Sequence, residues 1–180
     1  TNASIGVHTA YQDSTPMILF VGQVGNDFME REAFQEIDYR RMFGQMAKWV
    51  AQIDRTDRIP EYISRAFAVA TSGRPGPVVL ALPEDTLWGT ARVADLPRYP
   101  RVHSHPGAAD LARMTQLLDA AQRPFLLLGG NGWHQTAIDQ IAGFAERFEL
   151  PVGTAWRRLE CFDQRHPNAA GHVGWAMTPA

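Results

Sequence analysis

The chain predicts an α/β fold of parallel-sheet layers with helices on both faces, and three features carry that expectation. Residues 78–82 (Val78, Val79, Leu80, Ala81, Leu82) are an unbroken apolar run, the pattern of a strand covered on both sides. Immediately before it, Ile59, Ile63, Ala66, Phe67 and Ala70 recur at helical spacing and stop at Gly73. A second set follows downstream, with a short apolar run over 125–128, a helical period over 134–148 and another strand over 151–155. Strand, helix and strand with short joints are the unit from which parallel sheets are built.

Each element has a local reason. Residues 2–11 mix small and apolar side chains and form a short helix ahead of the turn Asp13-Ser14-Thr15-Pro16, after which 17–21 is a buried strand. A loop rich in glycine and charge spans 22–31, residues 34–42 make one or two helical turns, and 46–53 is a second strand containing Lys48. Thr56 or Asp57 caps the helix that begins near Pro60. Pro75 and Pro77 fix φ and cannot donate, and Gly76 relaxes the backbone between them, so a rigid turn launches the run at 78. Pro97, Pro100 and Pro106 then mark a stretch without apolar period, an extended linker. Beyond it, a helix over 110–121 carries Leu111, Met114, Leu117 and Leu118 on one face. The helix over 134–148 turns Ile138, Ile141, Ala142, Ala145 and Phe148 inward, and the tail 166–180 reads as a loop entering a helix. Parts of two Rossmann-like domains joined by a Pro-rich linker result.

Composition narrows the function classes. A hydrophobic content of 45% sustains a packed core, while a net charge of -2 and a pI near 6.3 give no general attraction to nucleic acid or anionic lipid. The pairs Arg40-Arg41 and Arg157-Arg158 are expected to be solvated. The single cysteine, Cys161, excludes an intramolecular disulfide and is expected to be a buried, inert thiol in a reducing cytoplasm. No run approaches the ~20 apolar residues that span a bilayer, and the N-terminus lacks a signal-peptide pattern, so a soluble protein with no membrane partner is expected. Thr1 is not an initiator methionine, which suggests that residues precede it. His103 and His105 have no cysteine or carboxylate cluster beside them, and no metal site is assigned. G-x-S-x-G, P-loop and H-E-x-x-H patterns are absent, and no residue is singled out as catalytic.

In an open parallel sheet, ligands bind beyond the carboxyl ends of the strands, where glycines and a helix N-terminus can meet a phosphate. Gly129-Gly130-Asn131-Gly132 holds such a place, with His134 beside it, and His172 adjoins the later pair Gly171 and Gly174. The turn is not a full G-x-G-x-x-G, because residue 135 is Gln, and no acidic residue near Trp156 awaits a ribose. A nucleotide site and a bare strand-to-helix turn both satisfy this pattern.

A series of motifs in fixed order goes further. Asp13-Ser14-Thr15-Pro16-Met17, Gly22-Gln23-Val24, Ala33-Phe34-Gln35-Glu36, Ala47-Lys48, Ser72-Gly73-Arg74-Pro75-Gly76-Pro77-Val78 and Leu82-Pro83-Glu84-Asp85 together resemble the acetolactate synthase-like family of thiamine diphosphate enzymes. By this resemblance, 1–94 is the C-terminal part of a pyrimidine-binding domain, 95–108 a linker and 109–180 the N-terminal part of a central, nucleotide- or FAD-binding-like domain. The family's cofactors are thiamine diphosphate and Mg2+, with FAD or another adenine nucleotide in some members. The implied nucleotide contacts are Arg74, Gly129, Gly130, Asn131, Thr154, Ala155, Trp156, Gly171, His172 and Gly174. The implied substrate-channel residues are Gln23, Phe34, Gln35 and Lys48.

Several positions depart from the family wording. Asn131 replaces a turn glycine, Ala155-Trp156 and His172-Val173 replace other residues, and Glu84 stands where the family has lysine. An anion in place of a cation makes that channel less welcoming to an anionic acceptor such as pyruvate. The implied reaction is decarboxylation of a small 2-oxo acid, with or without transfer of the product fragment to a second carbonyl, in a homodimer or homotetramer. The family's catalytic glutamate lies before the position of Thr1 and its G-D-G…N-N motif after Ala180, so the chain by itself is expected to be inactive. A stand-alone nucleotide-binding module and a noncatalytic scaffold are the rival readings.

Overall fold

The computed structural model describes residues 1–175, arranged as two compact units, Thr1–His103 and a second that begins at Ser104. In the first unit, α1 (Ser4–Gln12) leads into β1 (Met17–Gln23), α2 (Tyr39–Phe43), β2 (Trp49–Gln52), α3 (Ile59–Thr71), β3 (Pro77–Pro83) and α4 (Glu84–Trp88). The sheet is parallel in the order β1-β3-β2, with Met17 opposite Pro77 and Trp49 opposite Val78. The central place of β3 explains its unbroken apolar run, since both faces are covered. Val78 and Leu80 pack against Ala66 and Ala70 of α3, and Val79 packs with Val7 of α1 and Phe43 of α2 on the other side. Helix α3 ends at Ser72, where Gly73 takes a φ of 54°, the left-handed conformation that glycine adopts most cheaply.

The second unit runs α5 (Ala108–Ala120), β4 (Leu126–Leu128), α6 (Gln135–Arg147), β5 (Val152–Ala155), a short 3-10 segment (Trp156–Cys161) and β6 (Ala169–Val173). Its sheet is also parallel, in the order β4-β5-β6. Leu128, Ala145, Leu150, Val152, Cys161 and Phe162 form its buried core. Burial, and secondarily the charge of Glu160, raises the Cys161 thiol, in keeping with an inert interior cysteine.

Four local expectations are corrected. The tail over 166–180 contains strand β6 rather than only a loop entering a helix, and 176–180 lie outside the described residues. Its pattern was masked by Gly171, at a φ of 80°, and by a register irregularity between Val152 and Thr154. Residues 34–38 are not helical, because Gln35 takes a φ of 68°; α2 starts only at Tyr39, where the Asp38 carboxylate accepts from the Arg41 N–H. Neither Thr56 nor Asp57 caps α3, since a 3-10 turn (Thr56–Arg58) enters it directly and the Thr56 hydroxyl donates to the Thr86 carbonyl. Phe148 does not point inward: it is 54% exposed and rests its ring on Phe144 at 4.8 Å. The apolar face of α5 is largely exposed as well, Met114 at 51%.

Candidate functional site

The carboxyl edge of the first sheet gathers three of the motif residues. Gln23 closes β1 and is buried; its side-chain amide donates to the Ile37 carbonyl at 2.9 Å, and its oxygen accepts from the Val24 N–H at 3.0 Å. That pair of bonds moors the loop carrying Phe34 and Gln35 to the strand end. The Tyr39 hydroxyl adds a second tie, donating to the Gly22 carbonyl at 3.1 Å. Glu36 shapes the loop from within, its carboxylate accepting from the N–H groups of Glu30 and Ala33. The result is a tightly tied loop in which Glu30, Glu32 and Gln35 all have positive φ, while Phe34 stands 89% exposed and Gln35 is exposed. Non-glycine residues held in this region are strained, and such strain persists where surrounding bonds enforce it.

Two clefts meet at Gln23. One of ≈ 310 Å³ is lined by Gln23, Glu36, Asp38, Tyr39, Gln52 and Asp54 among others, and is polar and acidic. The other, of ≈ 750 Å³, has Phe34, Gln35, Leu82, Leu87 and Glu84 on its walls and presents polar and apolar surface in about equal parts. Asp85 lies on this side too, gripped by the backbone and side-chain N–H groups of Asn26 at 3.0 to 3.2 Å. Desolvation works to raise the Asp85 carboxyl, but the Asn26 and Thr86 hydrogen bonds outweigh it and hold the group below its ordinary value.

Lys48 and Arg74 are not brought to this edge. Lys48 precedes β2, its backbone N–H donating to the Pro77 carbonyl at the amino end of β3. Seven residues of strand, about 20 Å, separate that end from the carboxyl edge. Its ammonium donates to the carbonyls of Val69 and Ser72, the last turn of α3, where a cation complements the helix dipole. Burial lowers its pKa. Arg74 sits in the turn before β3 and donates to the Ser14 hydroxyl at 2.7 Å and to the Tyr11 and Gln12 carbonyls, with its guanidinium 5.6 Å from the Tyr11 ring centre. Both cations act as ties between helix ends.

In the second unit the glycine turn lies beyond β4. Gly130 and Gly132 have φ values of 73° and 92°, the Trp133 indole N–H donates to the Gly129 carbonyl, and the His134 Nδ1 accepts from the Ala137 N–H as the cap of α6. Thr154 is wholly buried, its hydroxyl accepting from Gln164 at 3.4 Å. Trp156 follows Ala155 at the end of β5 and lies against the α-carbon of Gly174, next to the end of β6. His172, in β6, donates through Nε2 to the Trp175 carbonyl at 3.3 Å. Sequence reasoning missed Arg158, expected to be solvated: its side chain is 20% exposed and bonds the Gly130 carbonyl and the Asn131 side chain. Nothing local distinguishes it from Arg157, which stays exposed over the Trp156 ring at 4.3 Å. Among the described residues, no group of three or more His, Cys, Asp or Glu is placed to hold a metal ion.

Comparison with known proteins fits this geometry. Residues 111–180 match the family described as thiamine pyrophosphate enzyme, central domain. Across its whole length the chain is similar to the protein described as "Probable acetolactate synthase large subunit" of Methanocaldococcus jannaschii, at 36% identity and covering 32% of that protein. It is 33% identical to acetolactate synthase isozyme 3 large subunit of Escherichia coli, matching 97% of this chain and 31% of that one. The solved structure of benzoylformate decarboxylase from Polynucleobacter necessarius superposes with a TM-score of 0.77 at 28% identity, covering 96% of this chain and 34% of the other. The chain spans about a third of the length of the curated relatives it matches.

Proposed function

Because this chain belongs to the acetolactate synthase-like family of thiamine diphosphate enzymes, we propose that it supplies the substrate-facing wall of a 2-oxo acid decarboxylase or carboligase. The observation that carries this reading is the convergence of Gln23, Phe34 and Gln35 on one cleft at the carboxyl edge of the first sheet. Thiamine diphosphate, when bound, supplies the electron sink for loss of CO2 from a 2-oxo acid. Among the described residues no group of three or more His, Cys, Asp or Glu is placed to hold its magnesium, and no residue of this chain is assigned to that ion.

The chain's own part is recognition. The Gln35 amide can hydrogen-bond a carboxylate or carbonyl oxygen without changing charge, Phe34 offers an aromatic face, and Gln23 fixes the loop that presents both. Lys48 and Arg74 hold helix ends at the opposite edge and are positioning residues in this reading. Glu84, on the same wall, biases the cleft against an anionic acceptor and toward a neutral carbonyl compound. With this reading we propose Mg2+, either lyase or transferase chemistry, a homodimer or homotetramer and a cytoplasmic setting. No helix of the described residues is long and apolar enough to cross a membrane.

The test is CO2 release from pyruvate, 2-oxobutyrate and benzoylformate by the complete translated protein, with and without thiamine diphosphate and Mg2+. Cofactor-dependent release that falls at least about tenfold in Gln35→Ala and Phe34→Ala supports the reading. Release from none of the three, or release indifferent to both substitutions, overturns it. Glu84→Lys should lower KM for an anionic acceptor while leaving a neutral aldehyde acceptor unimproved.

A further inference from the structure

A sheet ordered β4-β5-β6 offers a nucleotide one route, across the end of the central strand from the glycine turn after β4 to the glycines of β6. Here the chain's own side chains lie along that route. The 3-10 segment leaving β5 sends one side chain each way. Toward β4, the Arg158 Nε donates to the Gly130 carbonyl at 2.6 Å, another of its nitrogens bonds the Asn131 side chain, and the third reaches the Arg157 carbonyl at 3.3 Å and Glu160 at 3.5 Å. Toward β6, the Trp156 indole lies so close over Gly174 that a β-carbon there would overlap it. Gly174, at a φ of 124°, thus admits the chain's own indole rather than a ligand.

We propose that Trp156 and Arg158 close the carboxyl edge of the second sheet, so that this unit excludes FAD and ADP. Arg158 anchors the 3-10 segment to the glycine turn through the Gly130 carbonyl and the Asn131 side chain, and so holds the Trp156 indole in place. A flavin or adenine ring continuing toward β6 would have to displace the indole. Asn131 belongs to the same device, since its side chain gives Arg158 an acceptor that the family's glycine lacks. Arg158 and Trp156 are specificity-determining residues in this sense and need touch no substrate.

The experiment is calorimetric titration of the purified protein with FAD and, separately, with ADP, alongside Arg158→Ala, Trp156→Ala and the double variant. Wild type should show no saturable binding up to about 1 mM, the weak end of the affinity scale, and the double variant should bind at least one probe about tenfold tighter or better. Saturable binding by wild type overturns the proposal, and so does a folded double variant that binds neither probe. If the double variant loses its far-ultraviolet circular dichroism, the decision passes to the Arg158 Nε–H resonance of wild type. Its position should be unchanged by either probe at about 1 mM, and a titratable shift would overturn the closure.

Discussion

Gln35 holds a left-handed backbone that costs an ordinary residue about 1 kcal/mol or more, and does so on a loop whose neighbours Glu30 and Glu32 share the strain. Gln35→Gly should therefore raise unfolding free energy by about 1 kcal/mol, read from the urea midpoint, while removing the amide proposed to face substrate. A loss of stability instead would show that the Gln35 side chain contributes contacts outweighing the strain. At Asp85 the prediction concerns pH. Its folded-state carboxyl lies below the ordinary value, so its tie to Asn26 stabilises fully above about pH 4 and fades as pH falls through the lowered value. Asp85→Asn should flatten the acid limb of the stability curve below about pH 4, and an unaltered limb would contradict this. The motifs put Gln23, Phe34 and Gln35 on one rim, and the fold lines a single cleft with all three. Motifs do not reveal at which end of a strand a side chain sits: Lys48, expected at the channel, bonds the last carbonyls of α3 at the opposite edge.

Elements were legible where burial imposes a pattern. β3 is buried on both faces and its apolar run showed it; α3 and α6 each cover a core on one face and showed a helical period. β6 was illegible because a glycine with positive φ and an irregular register break the period of two in a five-residue strand. The helical period of α5 was legible but its burial was not, since periodicity records a face and not what covers it. Helix α4, absent from the expectation, has only five residues and is fixed by tertiary ties: the Thr56 hydroxyl donates to the Thr86 carbonyl at 2.8 Å. Gly89 ends α4 against that hydroxyl, and a β-carbon there would overlap it. Gly89→Ala should push Thr56 away, leave the buried side of α4 without its donor and cost about 1 to 2 kcal/mol. A melting curve identical to wild type would mean that the Thr56 rotamer yields without loss.

At the scale of the molecule, the division into two units falls within the proline-rich stretch, where no helix or strand is found between Trp88 and Ala108. This stretch is not uniformly loose. Tyr99 stacks on Phe67 of α3 with ring centres 5.2 Å apart, and Leu96 and Pro97 line the same apolar groove as Ile63. Protease accessibility follows the local freedom of the backbone, so the residues on either side of that docked patch should differ. Arg92 and Arg101 both lie in exposed, irregular chain, whereas Arg98 adjoins the stacked tyrosine. Brief trypsin treatment should therefore cut after Arg92 and Arg101 before Arg98, leaving two protected pieces that correspond to the two units. Phe67→Ala removes the tyrosine's partner and should bring cleavage after Arg98 up to the rate of the other two, as read by mass spectrometry over a time course. Equal rates at all three arginines in wild type would show that the Tyr99 stack does not restrain the connecting chain. Rapid loss of either piece would show that the corresponding unit does not hold its fold alone.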